Sequence, residues 1–274
     1  MTFDIQHFEN SAKQNGIRYW WAHEFMLDLG YESWPTFHNV INKAIASCAR
    51  LGLDVSDAFI ASSYGEGNKT TKSYRLTRFA CLLITMHADG KKPFVAQAKA
   101  ALAGIASQLI EAQINQQGIG RIEVREDLKA AEGLLNHAAA TAGVENNQFG
   151  IFKDAGFRGM YNMSLRDLKQ HKGIDEKATA YDFMGLTELA GNLFRVTQTA
   201  ERLKQQPSVG LSIAAQTANS VGKEVRGMMI KNSGVSPEAL PFEENINQVK
   251  RQLKNTAKEM NKLDAPKKTK KHTQ

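Results

Sequence analysis

Apolar residues recur at helical spacing over most of the chain and alternate with polar ones only in its first third. IRYWWAHEFMLDLGY, residues 17–31, reads as a short aromatic strand running into a helix that stops near Gly30. Ser33 fits an N-cap with Pro35 in the first turn, and Phe37, Val40, Ile41, Ala44, Ile45 and Cys48 then form one apolar stripe. DAFIASSY and TTKSYRL predict two strands around Gly65–Asn68, a loop of residues that tolerate positive φ. A buried helix, LTRFACLLITMHA, follows, and Pro93 opens a long one.

GIGRIEVRED, from Gly118, predicts a break in the helical pattern and a domain boundary. Beyond it the segments read as helices, among them 126–142, 164–172, 186–206 and 212–232. Leu186, Leu189, Ala190, Leu193, Phe194 and Thr197 share one helical face and predict a core contact. A last helix spans about 243–263, and KKTKKHTQ after Pro266 reads as a disordered basic end. The predicted class is an α+β N-terminal domain built of helices and a small antiparallel hairpin (1–118), an all-helical domain (119–241), and a basic C-terminal helix and tail (242–274).

That last helix carries Ile246, Leu253 and Met260 seven apart, and likewise Phe242, Val249, Thr256 and Leu263. Such heptads suit either a coiled-coil homodimer through Ile246, Val249, Leu253 and Met260, or a helix docked on its own domain.

Charge is concentrated at the same end. The chain of 274 residues has a net charge of +7. Residues 250–274 hold nine Lys or Arg against Glu259 and Asp264, so the 26 basic and 26 acidic residues before them cancel. Any basic surface on the body must therefore arise by local arrangement. Cys48 and Cys81 sit on apolar helical patterns, which predicts buried thiols in a reducing cytoplasm. The N-terminus has no apolar signal core, and the run FACLLI is too short for a membrane span.

Catalytic signatures do not emerge. GEGNKTT lacks the Gly before Lys69 that a phosphate loop needs, and it leads into a strand rather than a helix. The seven histidines are scattered without metal-ligand spacing, and GxSxG is missing. Acidic pairs such as Glu126–Asp127 fall at predicted helix starts, where the helix dipole accounts for them. No enzyme, metal or cofactor is expected.

Binding chemistry remains. Lys69, Lys72, Arg75 and Arg78 run through the hairpin into the next helix, with Lys91 and Lys92 before Pro93. Brought together they would form a cationic patch able to contact DNA phosphates, single- or double-stranded, with steep salt dependence. Lys267, Lys268, Lys270 and Lys271 in the tail would add non-specific affinity. Asn192, Arg195, Gln198 and Arg202 form a mixed polar helix face suited to a protein partner.

Two stretches carry a resemblance. Trp21-Ala22, Leu29-Gly30-Tyr31, Leu76-Thr77-Arg78 with Ala80-Cys81, and Lys92-Pro93 resemble the BRO N-terminal domain of viral BRO proteins and phage antirepressors. FGIFKDAGFRGMYNMSLRDLKQHKGI, DFMGLTELAGNLFRVTQTAERLK, ANSVGKEVR and PEALP are similar to the bacterial DNA-damage-inducible protein D family. The resemblance spans about Trp20 to Pro241. It implies a non-enzymatic, SOS-linked regulator acting on RecA recombinase filaments on DNA, or an antirepressor-like module that binds a repressor protein.

Overall fold

A computed structural model of the chain describes residues 3–65, 70–109, 116–205 and 208–266. They form two compact units. One comprises the chain through Ile119 together with the C-terminal helix from Val249, and the other is Gly120–Gln248.

The first unit begins with α1 (Ile5–Ser11), whose Asp4 side chain accepts from Gln6 N–H. It continues through β1 (Lys13–Asn15), β2 (Ile17–Trp21), α2 (Ala22–Asp28), α3 (Trp34–Arg50), α4 (Val55–Ala58), β3 (Phe59–Tyr64), β4 (Thr71–Leu76), α5 (Arg78–His87) and α6 (Pro93–Leu109). The strands make one antiparallel sheet in the order β1-β2-β4-β3. β3 and β4 pair from Phe59↔Leu76 to Tyr64↔Thr71, and Trp20 and Trp21 of β2 pair with Leu76 and Arg75.

Thr77 caps α5 by accepting from Ala80 N–H at 3.2 Å. Every residue from Arg78 to Met86 is buried, because this helix packs against both α3 and α6. Phe8 of α1 stacks on Trp20 at 4.5 Å, and Trp20 Nε1 donates to Phe8 O. This brings the N-terminal segment, absent from the sequence expectations, into the core. Gly30 takes φ +71°, and a Cβ there would also lie 2.8 Å from the Phe94 ring.

The second unit contains most of α7 (Gln116–Thr141), then α8 (Phe149–Tyr161), α9 (Leu165–His171), α10 (Leu186–Lys204) and α11 (Gly210–Ser233). α8 and α11 form its closest helix pair, and α10 also packs on α11. A Cβ on Gly222 would approach Gly156 O to 2.6 Å, and one on Gly159 would strike Asn219 O. Small residues at the crossing thus allow the two backbones to meet.

GIGRIEVRED is not a break; it lies inside α7. Two glycines cost about 1 kcal/mol each in a helix. Burial of Ile119, Arg121 and Ile122 offsets that cost, and Arg121 donates to the backbone oxygens of Met184, Asp182 and Glu244.

The C-terminal helix, α12 (Ile246–Asp264), is not a segment apart, since from Val249 onward it belongs to the first unit. Ile246, Leu253 and Met260 are buried in this chain itself, with Val249 half-buried. The heptad seam expected for oligomerisation is therefore already covered.

Candidate nucleic-acid interface

The cations expected to form one patch separate by role. Lys72 on β4 is exposed, opposite Ser63. Arg75 is half-buried, donating from Nε to Ser62 Oγ at 2.9 Å, with its guanidinium 5.3 Å from the Tyr19 ring centre. Lys91 is exposed near the start of α6. Lys92 has a structural job: its Nζ donates to Gly30 O at 2.8 Å and lies 5.0 Å from the Tyr31 ring centre.

Arg78 must be removed from the patch. Its side chain is 1% exposed and enclosed by two carboxylates, Glu9 and Asp264. As the first residue of α5 it follows the inward-facing Leu76–Thr77 turn, so its direction is set by the core rather than by the alternation of the strand. Lys69, Lys267, Lys268, Lys270 and Lys271 lie outside the described residues.

What stands beside Lys72 is aromatic. Trp34 and His38 of α3 and Tyr74 of β4 line a groove of about 490 Å³ together with Ser62, Ser63 and Lys72. His23 lies parallel to Trp34 at 3.7 Å and to Tyr64 at 5.0 Å, and its Nδ1 is 2.8 Å from Ser73 Oγ. Burial holds the His23 imidazole below the usual histidine value, so this stack is neutral at pH 7. The rings continue through Tyr64 to Trp21 and Tyr19. All seven are half-buried, so each retains exposed area. Histidines and aromatics scattered through residues 19–38 and 64–74 were the available signal, and only the sheet register brings them together.

The polar face of α10 is also corrected. Asn192 is 0% and Arg195 3% exposed, whereas Ala190 is exposed and Phe194 is 45% exposed. The inward face runs through Glu188, Leu189, Asn192, Arg195, Val196 and Thr199. Glu188 accepts from Lys172 Nζ at 2.8 Å and from Tyr161 OH at 2.9 Å. Asn192 Nδ2 donates to Tyr161 OH at 2.7 Å, and Arg195 Nη2 donates to Tyr181 OH at 3.0 Å. Burial pushes the Glu188 carboxyl up, while Lys172 and Tyr161 draw it down. A satisfied network lets these groups replace apolar residues in a core. Gln198 and Arg202 are half-buried, and the Arg202 fork grips Glu224 of α11.

Reactive groups are muted. Burial, with Asp54 nearby, pushes the Cys48 thiol up to about 11, and Cys81 is raised by complete burial. Among the described residues no three His, Cys, Asp or Glu side chains form a metal-holding group, and no helix is long and apolar enough to cross a membrane.

Residues 115–249 match the family described as the DinD C-terminal domain, a span that nearly coincides with the second structural unit. Over 257 residues the chain is 31% identical to DNA damage-inducible protein D of Escherichia coli (strain K12), covering 89% of this chain and 94% of that one. With the helical unit matched by one comparison and nearly the full length by the other, the chain belongs to the DNA damage-inducible protein D family.

Proposed function

We propose that this protein is a non-enzymatic, DNA-associated regulator of recombination. It acts in the cytoplasm by occupying DNA, RecA–DNA filaments, or both, and so changing filament assembly or access. The observation that carries the DNA contact is Lys72, an exposed cation beside half-buried aromatic rings on the β3–β4 hairpin. Arg75, one hydrogen bond from Ser62, keeps further donors for a phosphate. Burial holds both thiols above their ordinary value, which suits structural rather than nucleophilic cysteines.

DNA binding at two salt concentrations tests this reading, comparing the full chain with one ended after Pro266. A cut at Pro241 would remove α12 and with it the buried Leu253, Met260 and Asp264. The shorter chain should keep salt-dependent binding, and Lys72→Ala should reduce the log–log salt slope by about one. Loss of all binding on ending at Pro266, or no binding by the full chain, overturns the hairpin contact.

A second reading, an antirepressor-like module that binds a protein without DNA, is favoured by one feature of the helical unit. Leu134 of α7 and Ile151 of α8 are each more than 60% exposed and offer apolar side chains to a protein partner.

A further inference from the structure

We infer that the groove formed by α3 and the β3–β4 hairpin seats an unpaired nucleobase of single-stranded DNA. This rests on the DNA reading above and specifies its ligand.

An unstacked base offers two apolar faces, a hydrogen-bonding edge and a phosphate on each side. The groove offers the complement of each. Trp34, His38 and Tyr74 are half-buried rings, and His38 and Tyr74 are inclined by only 22° with centres 6.1 Å apart. Ser62 and Ser63 supply hydroxyls at the groove wall, and Ser62, which accepts from Arg75, still has its own proton to donate to a base. Lys72 places an ammonium at the rim for the strand's phosphate. The volume of about 490 Å³ lies within the roughly 300–1,000 Å³ usual for small-molecule sites, and so admits one nucleotide.

The site is also ordered in advance. His23 covers Trp34 at 3.7 Å and is itself held by Ser73, so the indole need not be immobilised on binding. A duplex keeps its base faces stacked on one another and presents only edges to its grooves. Aromatic rings lining a groove therefore favour a single strand. Lysines alone would bind either form.

The test measures affinity of the full-length protein for an oligothymidine, an abasic oligomer of equal length and phosphate count, and the corresponding duplex. Stacking of one base should favour the oligothymidine over the abasic strand by about 5- to 150-fold. Tyr74→Ala and His38→Ala should each reduce that preference by weakening oligothymidine binding more than abasic binding, and Tyr74→Phe should retain it. Far-UV circular dichroism and urea midpoints establish that the variants are folded. Equal binding of the oligothymidine and the abasic strand overturns the base site and leaves the DNA reading standing. Failure to bind any strand removes both. Loss of preference in Tyr74→Phe equal to that in Tyr74→Ala would also overturn stacking, because the ring is still present.

Discussion

Arg78 and Asp264, 186 positions apart in the chain, form an ion pair at 2.6 Å with each side chain 1% exposed. Arg78 Nη2 also reaches Glu9 Oε2 at 2.9 Å, so α5 is tied to the first helix and to the end of the last. Burial works against charge on Arg78, yet its hydrogen bonds to Glu9 and Asp264 leave the guanidinium held more firmly protonated than usual. Burial pushes the Asp264 carboxyl up, with Arg78 opposing.

Breaking such a pair from one side leaves a buried charge short of its partner. Asp264→Ala should cost about 3–5 kcal/mol, toward the lower end because Glu9 remains. Arg78→Met together with Asp264→Leu should cost less than the two single changes added. Urea unfolding of the four proteins in a double-mutant cycle measures the coupling, and strict additivity would show that the pair contributes nothing as a pair.

Close helix packing in the second unit makes an opposed pair of expectations. Gly222→Ala, whose Cβ meets the Gly156 and Met160 backbone, should destabilise by about 3 kcal/mol or more. Gly227→Ala lies on the same helix with nothing within 4 Å and should stabilise by about 0.5–1 kcal/mol. Thermal unfolding of both variants distinguishes a steric requirement from helix propensity, which would move them in the same direction.

For α12, the burial of Leu253 and Met260 gives a result different from that of a coiled coil. Leu253→Ala should destabilise by about 2–5 kcal/mol through the cavity it opens. It should leave the molar mass from light scattering unchanged in the folded protein. A halved mass without loss of stability would place Leu253 at an interface between chains.

These cases also mark where the sequence was readable. The hairpin, α5 and the Ser33–Pro35 start of α3 follow from local rules, since strand alternation, capping and apolar runs are short-range. The inner face of α10 was not readable in that way. Periodicity places Asn192 and Arg195 on the polar face, but Tyr161 and Tyr181 arrive from elsewhere in the unit to satisfy them, as Lys172 does for Glu188. Arg78 deceived for the same reason, as its partners Glu9 and Asp264 come from the two ends of the described chain. The aromatic groove needed the strand register, which places Tyr74 opposite Ala61 and aligns the hairpin with α3.

One surface-proximal pair gives the second unit a readable acid dependence. Arg226 of α11 grips Glu238 with both nitrogens, Nη2 at 2.7 Å from Oε1, and Nη1 also donates to Met160 O at 3.0 Å. The Arg226 hydrogen bond holds the Glu238 carboxyl below its ordinary value despite some burial. A folded-state value below the unfolded one means that the pair stabilises above the ordinary glutamate range, near 4.5. That contribution is lost as pH falls through the lower, folded value. Glu238→Gln should therefore lower the melting temperature at pH 7 and lower it less at pH 3, below the unfolded-chain value, where part of that contribution is already gone. An equal loss at both pH values would mean that the substitution acts through packing and not through the charge on Glu238.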